Sequence, residues 1–171
     1  MKLRTTIVIA LVLLALASWA YWPPLPLPKD VQADHLVLTK SARTLDLYFK
    51  TTLLNQYRVS LGGHPIESKQ RAGDGRTPEG RYFVDYRKAD SSFHRALHLS
   101  YPSAADRARA VAQGVDPGGL IMIHGLKNGL GWLGRLHRLF DWTDGCIAVT
   151  NPEIEQIWQS VPDGTPIELR P

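Results

Sequence analysis

Two stretches decide how this chain is read: Asp141-Trp142-Thr143-Asp144-Gly145-Cys146-Ile147-Ala148-Val149 and, upstream of it, Leu120-Ile121-Met122-Ile123-His124-Gly125. The upstream stretch is an apolar run that ends on a histidine and a glycine, while the other places the single cysteine of the 171 residues just before a β-prone triplet. A lone thiol has no intramolecular disulfide partner, so it is either an inert buried hydrophobe or a reactive group. Taken alone, a free Cys beside Ile and Val is more often the former. A reactive thiol needs a partner to take its proton, and the usual one is a histidine at hydrogen-bond distance. His124 is the candidate base for Cys146. Both residues fall where strand gives way to loop, and Gly145 allows backbone N–H groups to approach a carbonyl closely. The Gly145 and Cys146 amides are therefore candidate oxyanion donors.

Working outward, His35-Leu36-Val37-Leu38 and 44–49 predict a hairpin across a polar turn, and 56–61 and 80–86 alternate as two further strands around a Gly- and Pro-punctuated loop. Residues 96–101 and 120–123 read as core strands, and Pro166-Ile167-Glu168-Leu169 as the last strand. Ser103 and Asp106 form a capping-box pattern for a short helix that ends at Gly114. Asn151 as N-cap and Pro152 at the first helical position open a second, whose Ile154, Ile157, Trp158 and Val161 form one inward stripe. Leu130, Trp132, Leu133, Leu136, Leu139 and Phe140 recur at near-helical spacing between the two motifs, as core or as a cap over a groove. The reading is a mainly β fold with short helices, in one domain.

At 44% hydrophobic and 21% charged, the composition is that of an ordinary globular chain. The first residues carry Lys2 and Arg4, and from Ile7 to Trp22 there is no charge, the pattern of an export signal or a membrane anchor. Ala15-Leu16-Ala17 and Ser18-Trp19-Ala20 both suit cleavage, whereas Trp19, Tyr21 and Trp22 suit an interfacial belt and tip the reading toward a retained inner-membrane anchor. Residues 1–22 are thus signal peptide or anchor, 23–32 a stiff Pro-rich linker, and 33–171 the folded domain. Without Lys2 and Arg4, the body holds 18 basic against 16 acidic residues, a balance that does not indicate nucleic acid as a partner.

Read together, His124-Gly125 and Thr143-Asp144-Gly145-Cys146 closely resemble the signature of the L,D-transpeptidase catalytic domain family (YkuD-type), His-Gly followed by Ser/Thr-x-Gly-Cys. The resemblance extends to Gly73-Asp74-Gly75-Arg76-Thr77-Pro78-Glu79-Gly80-Arg81-Tyr82 and to 97–102, and so covers nearly the whole chain after Ala33. It implies a β-sandwich-like catalytic domain working outside the cytoplasm, in a bacterial periplasm or cell envelope. It further implies a Cys146 nucleophile that forms a thioester on peptidoglycan stem peptides, with His124 as base, the Gly125 carbonyl orienting the imidazole, and no cofactor. The thioester then passes to an amine or to water. The chain departs from the family pattern at Asp144, where His is frequent, and at Ala148, where Arg is frequent. The variant Trp142-Thr143-x-Gly-Cys-Ile-Ala resembles a subgroup that includes hydrolases, some of which release wall-linked lipoprotein. A standard amine acceptor is then held less well, which favours hydrolysis over cross-linking.

Other constellations carry less. His94 and His98 stand i, i+4, but Leu97-His98-Leu99 alternates like a strand and no zinc pattern is completed, so no metal is expected. Arg76 and Arg81, with Lys69 and Arg71, flank the Thr-Pro-Glu-Gly segment, where Arg suits the carboxylates of a stem peptide; an ordinary solvated surface is the simpler reading. Trp142, Thr143 and Asp144 complete the candidate site, and Arg135 and Arg138 are near enough in sequence to pair with Asp144. The rival from another class is a catalytically silent wall-binding module, which requires an unreactive Cys146.

Overall fold

The computed structural model describes residues 2–28 and 30–171; Met1 of the leader and Lys29 of the linker lie outside them. Eight strands follow one another in the order β3-β2-β1-β8-β4-β5-β6-β7, a half-barrel with few helices. They are β1 (His35–Thr39), β2 (Thr44–Phe49), β3 (Thr52–Arg58), β4 (Gly80–Ser91), β5 (His94–Leu99), β6 (Met122–His124), β7 (Ile147–Ala148) and β8 (Pro166–Arg170). Long β4 joins the two halves: its first residues pair with β8 and its later ones with β5, across an irregularity between Val84 and Tyr86. A strand that changes partners at such a break bends, and one sheet thereby supplies both walls of the expected sandwich.

Leu36 and Leu38 of β1, Leu45 and Leu47 of β2, Leu97 and Leu99 of β5 and Ile167 and Leu169 of β8 alternate into the core. Strand period 2 requires this of a sheet with one buried face. Helix α2 (Ala104–Gln113) carries the expected box, with Ser103 Oγ accepting the Asp106 N–H and Asp106 accepting the Ser103 N–H, and ends at Gly114 in the left-handed conformation. Helix α3 (Asn151–Ser160) starts one residue earlier than the sequence suggests. Thr150 is its N-cap and Asn151 is already helical, because the Glu153 carboxylate accepts the Thr150 N–H. Ile154, Ile157 and Val161 are fully buried, while Trp158 packs at the edge beneath the guanidiniums of Arg87 and Arg95.

Three expectations shift. Strand β3 begins at Thr52, since Lys50 takes a positive φ and turns the chain after Phe49. The apolar stripe between the motifs is a 3-10 segment, Gly131–Leu139, broken at Gly134. The leader forms helix α1 (Lys2–Ala20), but among the described residues no helix is long and apolar enough to cross a membrane, so a retained spanning anchor has no support. At 1.5 Å per residue its 19 residues reach about 28 Å, and charged residues occupy one end. Its last residue packs on Gly134, and Tyr21 donates to the Trp132 carbonyl at 2.5 Å. Nor is the linker a free spacer: the Leu25 carbonyl accepts from Asn55 on β3 and Gln156 on α3.

Candidate active site

Strand β6 ends on His124, and β7 runs parallel to it, pairing Ile123 with Ile147 and His124 with Ala148. This register sets Cys146, the residue before β7, beside Met122 at the start of β6, two residues before His124. Cys146 and His124 line one groove of about 440 Å³ together with Phe93, Met122, Trp142 and Asp144. The His124 Nδ1 lies 2.7 Å from the Gly125 carbonyl. A carbonyl only accepts, so Nδ1 carries the proton and Nε2 keeps its lone pair. Phe93 packs on the ring at 4.6 Å and Trp142 meets it edge-on at 5.8 Å, which fixes its plane.

Burial pushes His124 below the usual histidine value, and the Gly125 carbonyl opposes this only in part. Burial likewise pushes the Cys146 thiol up; the Met122 N–H pulls it down, the Asp144 charge raises it further and Lys69 lowers it. Desolvation disfavours the charged form of each group, so the resting pair is neutral thiol and neutral imidazole. The thiol also faces the Leu120 carbonyl at 3.5 Å, where Leu120 itself takes a positive φ.

The turn that carries Cys146 is held by Thr143, whose hydroxyl donates to the Cys146 carbonyl at 2.7 Å and accepts the Gly145 N–H at 3.1 Å. The Gly145 amide is therefore spent inside the turn, and of the two expected oxyanion donors the Cys146 amide remains. Gly145 has φ +121, and a Cβ there would stand 2.3 Å from the Arg76 carbonyl oxygen. Gly62 meets the Gly75 carbonyl as closely, and its N–H donates to Thr77 Oγ1. The Gly73-to-Pro78 loop thus lies directly against the turn, and its carbonyls leave no room for a side chain at Gly145 or Gly62.

Arg76 and Arg81 do not line the groove. Arg76 contributes its carbonyl and turns its guanidinium to Glu67 at 2.5 Å. Arg81 sits on β4 opposite Glu168, because the strand's period sends it to the outer face. Lys88 and Lys127 supply cations to the groove instead, and nothing in their sequence surroundings announces it. Asp144 makes no ion pair among the described residues, since Arg138 is committed to buried Glu153. His94 and His98 lie on β5 and engage Glu155 and Asp85 at 2.7 and 2.6 Å. His137 does not serve as a base: burial first, then the positive charge of Arg138, push it down to about 3. It lies beneath Trp142 instead, its Nδ1 facing the indole N–H at 3.4 Å and Ser60 Oγ at 3.2 Å. Ala148 sits in the sheet between His124 and Ser60, so this covered row is where an Arg at 148 would have to fit.

A bent β-sheet domain that presents a thiol and a proton-accepting imidazole in one groove holds the groups that thiol-dependent acyl transfer requires. Residues 33–169 match the YkuD family, the L,D-transpeptidase catalytic domain, and the chain belongs to that family. It is 33% identical over 133 residues to the putative L,D-transpeptidase YafK of Escherichia coli K12, a match covering 74% of this chain and 46% of that protein. The chain thus matches under half the length of that curated relative. Among solved structures it resembles the helical cell shape determining protein Pgp2 of Campylobacter jejuni (TM-score 0.61, 22% identity, 90% of this chain and 53% of that one). It also resembles Bd1075 of Bdellovibrio bacteriovorus (TM-score 0.58, 19% identity, 85% and 51%). At these identities the two structures show the shared fold.

Proposed function

We propose that the domain is a peptidoglycan-modifying cysteine enzyme working outside the cytoplasm, with residues 1–22 as its export signal, and that it acts on stem-peptide amides through a Cys146 thioester. The observation that carries this is the placement of Cys146 and His124 in one groove, with the imidazole held in the tautomer that accepts a proton at Nε2. As Sγ attacks the amide carbonyl, His124 Nε2 takes the thiol proton and delivers it to the leaving amine as the C–N bond breaks. Water or a second amine then attacks the thioester, giving its proton to Nε2, and the thiol leaves and is reprotonated. Because both groups rest neutral, proton transfer accompanies attack and no thiolate–imidazolium pair precedes it.

Hydrolysis is the favoured outcome. The row beside His124 where the family frequently carries an Arg is here Ala148, and Asp144 places at the groove a carboxylate that no ion pair among the described residues ties up. An acceptor stem, itself a carboxylate, is then held weakly and water competes for the thioester. The bond to a wall-linked lipoprotein is the hydrolytic substrate that the motif variant suggests. The silent wall-binding alternative leaves the orientation of His124 toward a thiol groove without a purpose.

Incubating the protein with muropeptides of defined structure and excess amine, and weighing the products, tests the reading. Hydrolysed stems are expected; predominant transfer product overturns the hydrolytic preference, and no Cys146-dependent product overturns the enzymatic reading.

A further inference from the structure

Beneath the nucleophile turn lies a buried ion pair that the reaction scheme does not use. Lys69 is 3% exposed, and its ammonium donates to Asp74 Oδ1 at 2.8 Å and to the Arg71 carbonyl at 3.1 Å. Asp74 gathers the loop around itself: its oxygens accept the backbone N–H groups of Gln70 at 2.7 Å, Arg71 at 3.0 Å and Arg76 at 3.1 Å. The last of these matters most, because the Arg76 carbonyl is the group that fills the space beside Gly145. An unbroken series of contacts therefore runs from the ammonium through Asp74 and Arg76 to Gly145 and the thiol.

Stability alone does not account for such a pair. Two buried charges cost more in lost hydration than an apolar pair of similar size, and such replacement is frequently neutral or stabilising. The charged groups facing Cys146 are Asp144 on its own turn, His124 on β6, Lys88 on β4, Lys127 after β6, and Lys69 from the loop below. Of these, Lys69 is the one buried cation, and a buried charge is screened far less than an exposed one.

We propose that Lys69 is a positioning residue for the reaction at Cys146: through Asp74 it seats the Arg76 carbonyl against the Gly145 turn, and its charge stabilises the negative sulfur that develops during attack. This deepens the proposed function and rests on Cys146 being its nucleophile. The charge on Lys69 offsets that of Asp144, its sign opposing the rise that burial imposes on the thiol.

The full chain with Lys69→Met, Lys69→Arg and Asp74→Asn tests this, with the alkylation rate of Cys146 by iodoacetamide followed against pH beside turnover and melting temperature. Lys69→Met should move the labelling profile to higher pH, slow alkylation at neutral pH, and lower kcat with little change in KM. Lys69→Arg should recover most of both. Asp74→Asn removes a negative charge but keeps the cation, so its labelling profile should stay or move down while kcat still falls. A scaffold defect alone does not give profiles that move apart in this way. If Lys69→Met does not fold, Lys69→Met/Asp74→Met replaces the pair with apolar volume and should still label above the wild-type profile. Superimposable profiles for folded Lys69→Met and wild type, or equal shifts for Lys69→Met and Asp74→Asn, overturn the inference. A wild-type Cys146 that neither labels nor turns over overturns the proposed function instead.

Discussion

Replacing Gly145 by alanine adds one methyl group and should cripple the enzyme without touching either reacting side chain. The new Cβ would stand 2.3 Å from the Arg76 carbonyl oxygen and 3.2 Å from both the Arg76 carbonyl carbon and Ile121 Cδ1. Ordinary contact needs about 1 Å more from that oxygen, and both sides are backbone, so the turn or the loop must move by that distance. The φ of +121 adds strain, since L side chains rarely adopt it. Strain of this kind costs about 1–3 kcal/mol, which for a domain of this size lowers the melting temperature by roughly 3–10 °C. A displacement of about 1 Å at a reacting group costs on the order of 100-fold in rate, so kcat should fall about 100-fold while Cys146 remains present and titratable. Steady-state kinetics on a defined muropeptide, with calorimetry on the same preparations, measures both. Gly63→Ala is the control, because a Cβ there meets nothing within 4 Å and its φ is not strained. A folded Gly145→Ala enzyme with wild-type kcat would refute the claim that the loop and the turn are locked together.

Cys146→Ala should lose all turnover with its fold intact, and His124→Gln should lose nearly as much; because the two act as a unit, the double variant should be little worse than either, as mass spectrometry of products will show. Asp144→Asn should let Cys146 alkylate faster at neutral pH, since the carboxylate raises the thiol; an unchanged rate would place its charge out of reach. The pH profile of kcat/KM follows from the directions of the two shifts. His124 is held below its ordinary 6.5, so the base is already neutral at that pH, and the thiol is held above 9.0. Activity should therefore rise on the acid side below 6.5 and stay level to about 9, and a midpoint above 6.5 on the acid limb would contradict the burial of His124.

Much of this was legible in the chain because it rests on local chemistry. The hairpin of β1 and β2, the box at Ser103 and Asp106, and the stripe of Ile154, Ile157 and Val161 follow from period and capping, which neighbours in sequence dictate. Cys146 and His124 stood out for the same reason: few residue types carry this chemistry, and each sits in a short motif. Arg76 and Arg81, offered as carboxylate binders beside the simpler reading of a solvated surface, do not line the groove, and clustering in sequence says nothing about which face of a strand or loop a side chain takes. Lys88 and Lys127 went unnoticed for the converse reason, because they reach the groove from β4 and the loop after β6.

The sequence by itself determined most of the strands, the box at Ser103 and the identity of the thiol and imidazole, because propensity, side-chain period and motif chemistry act over a few residues. Tertiary structure alone decided what those groups face. The parallel pairing of β6 with β7 brings Cys146 and His124 into one groove across more than twenty residues of chain, while the turn itself spends the Gly145 amide on Thr143 and the packing of the upstream loop slides the Arg76 carbonyl under that turn. The first and last of these are contacts between segments distant in sequence, and the burial they bring moves the two ionisations in opposite directions toward a neutral resting pair.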